Sequence, residues 1–130
     1  DKEKEFSKAA IETYKAIRPI VQFGDLYRIL SPFENRRLAS LIYVEEQKKN
    51  AAFFAFYLEK QVGESSHPAF RFKGLDENTR YKVVEINKES DKGHFAGEGK
   101  TYSGSFLMNV GLKLNITDEY DSVVLQLSAE

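Results

Sequence analysis

Apolar residues recur at helical spacing at the start of the chain and at strand spacing through the rest of it. Phe6, Ala10, Tyr14, Ile17 and Val21 follow the i, i+4, i+8, i+11, i+15 template of one helix face. Asp1, Glu3 and Glu5 place negative charge where a helix N-terminus favours it. Pro19 interrupts this pattern: inside a helix it lacks a donor and clashes with the carbonyl of Lys15, at a cost of roughly 3 kcal/mol. It also biases Arg18 away from helix. The pattern therefore predicts a helix that kinks or stops near Arg18, with Gly24 ending any continuation.

From Asp25 the period shortens. Asp25 to Leu30 reads as the first extended segment, followed by a loop through Ser31, Pro32 and the charged run Glu34–Arg37. Leu38 to Val44 and Ala51 to Leu58 form a predicted hairpin around the polar turn Glu45–Asn50. The second of these, AAFFAFYL, is apolar on both faces and suits a central strand covered on both sides. Ala69 to Phe72 reads as a short strand, and Gly74 to Asn78 as a turn. Arg80 to Ile86 is another strand, and the polar, Gly-rich Asn87–Lys100 is the longest loop. Ser103-Gly104-Ser105 can start one helical turn through Leu107 and Met108. Gly111 to Ile116 alternates Leu112 and Leu114 with polar partners, and Asp121 to Ser128 sets Val123, Leu125 and Leu127 on one face. Short strands at regular spacing after one helix indicate a mainly β fold, an antiparallel β-sandwich of Greek-key type.

Composition narrows the function classes. The 130 residues suit one compact domain or a small domain with an appended helix, and are too few for a (β/α)8 barrel. Ten Phe and seven Tyr can fill a small core, while Trp is absent. A net charge of −1 offers no general attraction to nucleic acid or to an anionic membrane. The absence of cysteine excludes disulfides and thiolate chemistry, and is compatible with a reducing compartment. The chain opens DKEKEF without Met, which reads as a piece of a longer protein.

Candidate chemistry is sparse. Gly93 to Thr101 looks briefly like a phosphate loop, but five residues separate Gly93 from Gly99-Lys100-Thr101 where the motif needs four. His67 and His94 lie in separate loops without metal-ligand spacing. Asp25 suits capping, or pairing with a nearby Arg at a helix–strand joint, better than acid/base work. Asp118, Glu119 and Asp121 cluster without an EF-hand pattern, as a solvated turn does. Asn115-Ile116-Thr117 is formally a glycosylation sequon, which chance explains. Arg18, Arg28, Tyr27 and Phe33 could line an aromatic–basic surface. Tyr27 and Phe33 sealing a domain junction is the better reading, because sugar-binding modules usually carry Trp.

The stretch Tyr14 to Pro32, YKAIRPIVQFGDLYRILSP, resembles family 36 of the glycoside hydrolases, the α-galactosidases, where such a stretch leaves the catalytic barrel and enters a C-terminal β-domain. Two later segments resemble that domain's landmarks in the same order. One is Gly74-Leu75-Asp76 with Arg80-Tyr81; the other is Tyr102-Ser103-Gly104 with Leu107 to Leu112. Ser105-Phe106 departs from the family pattern, in which an acidic residue often follows the Gly.

The resemblance implies a parent enzyme, an α-galactosidase that removes terminal α-galactosides from sugars such as melibiose and raffinose with retention. Two aspartates do that chemistry, one as nucleophile and one as acid/base. Both lie upstream, so no catalytic, cofactor-binding or metal residue is assigned in this chain, and no cofactor. Residues 1–24 are then the last helix of the upstream barrel and a linker, and residues 25–130 the C-terminal β-domain. The implied partner is the barrel of the same polypeptide, with homo-oligomer contacts possible, sugar bound only through that barrel, and no nucleic acid or membrane. The parent is expected to be cytoplasmic and bacterial. The helix face, deprived of the barrel, should either fold back on the β-domain or pair with a second copy, and pairing is the expected outcome. The alternatives are a carbohydrate-binding module, which needs an exposed aromatic platform, and a freestanding interaction domain, which needs Phe6, Tyr14 and Ile17 buried within this chain.

Overall fold

The structure, a computed structural model, describes residues 2–30, 38–57, 69–86, 97, 99–114 and 122–130. Its elements are α1 (Lys2–Phe23), β1 (Asp25–Leu30), β2 (Leu38–Val44), β3 (Asn50–Tyr57), β4 (Arg80–Glu85), β5 (Thr101–Ser103), α2 (Gly104–Asn109) and β6 (Ser122–Ala129). The strands form one six-stranded sheet in the order β1-β2-β3-β6-β4-β5, antiparallel at every pairing. The antiparallel, mainly β fold expected from the sequence is present. β6 inserts between β3 and β4, so neighbours in the sheet are not always neighbours in the chain.

Alternation along the strands explains which face is the core. β2 alternates buried and half-buried positions from Leu38 to Val44, and β6 buries Val123, Leu125 and Leu127. Register places Ile42 beside Phe53 and Phe53 beside Leu125, a continuous apolar row across the sheet. The layer over this face contains Phe70, Phe72, Leu75, Leu107, Leu112 and Leu114, all buried. Of the expected strands at 69–72 and 111–116, the described residues 69–72 and 111–114 carry a single antiparallel bridge, Phe70 with Leu112. The ladder stops because the Phe72 N–H donates to the Leu107 carbonyl of α2 (2.8 Å), not to a strand. The sandwich's second layer, among the described residues, is therefore two bridged extended segments and one short helix.

The opposite face of the sheet receives α1. Ile17 and Ile20 are buried against Ala52, with Tyr43, Phe54, Ile86 and Val124 around them. This explains why β3 is apolar on both faces: Phe53 points into the main core and Ala52 and Phe54 point under the helix.

Two expectations for α1 need correction. Of the kink or stop expected near Arg18, the stop does not occur: the helix runs through Pro19 to Phe23. Pro19 and Lys15 are both on the exposed side of the helix. Burial of Ile17 and Ile20, at about 1.5–3 kcal/mol each, offsets the roughly 3 kcal/mol cost of the proline. The buried stripe also differs. It is Ile17 and Ile20; Val21 is half-buried, and Tyr14 is exposed because the helix has left the sheet by that turn. The side chains of Phe6 and Ala10 lie outside the described ones. Gly24 ends the helix as expected, donating its N–H to the Ile20 carbonyl at 2.8 Å.

Candidate functional site

The two later sequence landmarks converge on one structural knot. Gly74 to Asp76, Arg80-Tyr81, Tyr102 to Gly104 and Leu107 to Leu112 are separated in sequence but adjacent in the fold. Tyr81, fully buried, donates its phenol hydrogen to the Lys48 carbonyl (2.6 Å) and accepts the Asp76 N–H (3.0 Å). Asp76 in turn accepts the Asn78 N–H on Oδ1 at 2.9 Å, closing an Asx-type turn. The Gly104 N–H reaches the Thr79 carbonyl (2.8 Å) and the Ser105 N–H the Glu77 carbonyl (3.2 Å). Ser103 Oγ accepts the Phe106 N–H at 3.1 Å and caps α2. The departure at Ser105-Phe106 thus leaves a well-formed helix start. Gly111, at φ +83°, closes α2 and sits against the Phe70 carbonyl.

This knot is held by hydrogen bonds among turn backbones, not arranged around a cleft. Burial, the largest effect, pushes the Tyr81 phenol above its ordinary value of 10.0. The Asp76 N–H bond opposes that shift, the Asp76 carboxylate charge adds to it, and a bond with Thr79 opposes it. Because the folded value lies above the unfolded one, the phenol's stabilisation is complete below the unfolded value of about 10 and is lost as pH rises through the folded one. Tyr81→Phe is expected to lower stability by about 1–3 kcal/mol at neutral pH, since both partners lose a bond. The gap between wild type and variant should shrink above about pH 10. Urea unfolding at neutral and alkaline pH measures both; an equal gap at every pH would contradict the assignment.

The second feature is the outer surface formed by α1 and the sheet. Every residue from Glu3 to Ala16 with a described side chain is exposed. Ile11 is 56% exposed, Tyr14 57% and Phe23 82%, and Leu26 on β1 is 46% exposed. Leu26 and Phe56 share the sheet face on which α1 packs, as their pairing with Tyr43 and Ala39 shows. A helical stretch of only about 12–15 residues, such as Glu3–Ala16, is marginal without packing.

The residues nominated for chemistry do not assemble. Asp25 is exposed at the start of β1, where it makes no ion pair with a described residue. Arg18 and Arg28 are exposed, while Tyr27 is half-buried with its ring over Gly74. Tyr27 packs on the core and is no open platform. Tyr102 and Phe106 stack on each other, with centroids 5.5 Å apart. His67, His94, Phe33, the sequon Asn115–Thr117 and Asp118, Glu119 and Asp121 lie outside the described residues, as does most of Gly93–Thr101. No metal-holding cluster of His, Cys, Asp or Glu is found among the described residues. No described helix is long and apolar enough to cross a membrane. What sequence reasoning missed is Tyr81 as a hub; its partners Lys48 and Asp76 carry no periodic signal that links them.

Geometry thus defines an antiparallel β-domain with an internal turn knot and a helix whose first turns stand clear of the sheet. Comparison with known proteins agrees. The family model described as the glycosyl hydrolase family 36 C-terminal domain matches residues 38–127. Alpha-galactosidase C of Emericella nidulans is 34% identical over 120 residues, covering 92% of this chain and 14% of that protein. Alpha-galactosidase AgaA of Geobacillus stearothermophilus is 33% identical over 104 residues, covering 78% of this chain and 13% of that protein. The crystal structure of the family 36 α-galactosidase AgaB from Geobacillus stearothermophilus superposes with a TM-score of 0.81 at 30% identity, covering 100% of this chain and 16% of that one. The chain belongs to glycosyl hydrolase family 36, as its C-terminal domain. It spans about one seventh of the curated relatives' length.

Proposed function

We propose that this chain is the accessory C-terminal domain of an α-galactosidase, a retaining glycoside hydrolase acting on terminal α-galactosides such as melibiose and raffinose. Its own role is structural: it docks on the catalytic domain of the same polypeptide, and residues 1–24 are shared with that domain as its last helix and linker. The observation that carries this reading is α1, half built into the β-domain through Ile17 and Ile20 and half presenting Ile11 and Tyr14 to solvent. The relatives support the activity: their printed names are α-galactosidases, and AgaA of Geobacillus stearothermophilus has been crystallised with raffinose. The retaining mechanism uses one carboxylate to attack the anomeric carbon and another to protonate the leaving oxygen. In this reading the catalytic domain supplies both. Of the described carboxylates, Asp76 serves a turn and Glu85 is buried at the end of β4. We take the parent to be cytoplasmic and bacterial, with which a segment free of cysteine is compatible.

A freestanding domain would bury Phe6, Tyr14 and Ile17 within this chain; Ile17 is buried, but Tyr14 is 57% exposed. The experiment is an assay of the purified chain with a chromogenic α-galactoside. No turnover above a heat-killed control is expected, and clear turnover would sink the structural reading.

A further inference from the structure

Among the described residues the sheet ends in two edge strands of unequal length. β5 has only three residues and leads straight into α2, whereas β1 has six. An edge strand offers unpaired N–H and C=O groups to any extended chain, and native sheets blunt such edges with lysines and bulges. β1 carries both devices. Lys73, 45 residues away in sequence, donates from Nζ to the Arg28 carbonyl at 2.9 Å. Gly74, at φ +77°, lies directly under the Tyr27 ring, where a Cβ would collide with it. Consecutive residues of the 73–74 crossing thus engage consecutive residues of the edge strand. Between Arg28 and Leu30 the ladder to β2 shifts register.

The strand so guarded has something to gain by pairing. Leu26 is exposed, and a copy of β1 is self-complementary about a two-fold axis. Centring that axis on Tyr27 sets Leu26 opposite Arg28 and Asp25 opposite Ile29, so no like charges face each other. We propose that Lys73 is an edge guard: by occupying the Arg28 carbonyl it excludes antiparallel addition of β1 from a second copy of this chain.

The test is Lys73→Met, which keeps the aliphatic stem and removes the ammonium. Sedimentation is run over a concentration series, together with amide exchange of β1. The variant should approach twice the wild-type mass, and its Leu26–Leu30 amides should slow by about tenfold at high concentration. Wild type and Lys73→Arg should show no such slowing, and adding Leu26→Lys to Lys73→Met should abolish it. Exchange of β1 that stays independent of concentration would overturn the proposal, and so would association that leaves β1 unchanged. A monomeric Lys73→Met with faster β1 exchange would also overturn it, because Lys73 would then only clamp the strand.

Discussion

Phe53→Ala is expected to destabilise the chain by about 3–5 kcal/mol, the range for truncating a buried aromatic. Phe53 is fully buried at the centre of the sheet. Its ring stacks on Phe72 with centroids 4.6 Å apart and meets Phe70 edge-on at 5.6 Å. Those contacts join the sheet to the layer above it, and each aromatic pair adds about 0.5–1.5 kcal/mol beyond area burial. Phe56 provides the control. It lies three residues along the same strand but on the outer face, where it is 39% exposed. Phe56→Ala should cost less than about 1 kcal/mol. Urea titration with unchanged slope separates the two. Similar losses for both would mean that the core does not lie on the face described.

Gly111→Ala is the second large effect, expected at about 2–4 kcal/mol from two separable causes. Gly111 has φ +83°, and a side chain in that left-handed region costs roughly 1–2 kcal/mol. An added Cβ would also strike the Phe70 carbonyl. That carbonyl accepts the Leu112 N–H (3.0 Å), and the Phe70 N–H donates to Leu112 (2.8 Å). Moving it disturbs both bonds of the bridge. Gly99 isolates the first cause, having φ +80° with open space around the Cβ position. Gly99→Ala should therefore cost only about 1–2 kcal/mol. Equal losses at the two positions in thermal or urea unfolding would show that the close approach to Phe70 contributes nothing.

Strand identity was legible because alternation is a local signal. Val123, Leu125 and Leu127 announce a half-buried strand without reference to the rest of the chain, and AAFFAFYL announces a strand covered twice. What escaped depends on partners distant in sequence. Pro19 reads as a helix breaker until Ile17 and Ile20 are seen on Ala52. Phe70 and Phe72 read as a strand, yet the Phe72 N–H is claimed by Leu107, 35 residues on. The landmarks around Gly74, Tyr81 and Gly104 were recognisable as a pattern. Their physical reason, a hydrogen-bonded knot centred on one phenol, exists only in the folded chain. An apolar helix face was legible in the spacing, but its phase was not, because helical spacing alone cannot say where a helix leaves the sheet.

Residue-resolved amide exchange along α1 tests the docking role most directly. In the chain alone, amides from Ile20 to Gly24 should be protected by the packing of Ile17 and Ile20. Those preceding Ile17 should exchange nearly as fast as an unpacked helix, since local opening there breaks no buried contact. In a full-length relative the equivalent first turns should become protected. Protection of Glu3 to Ala16 equal to that of β3 in the monomeric chain alone would contradict this account, because the helix would then have no face left to offer the catalytic domain.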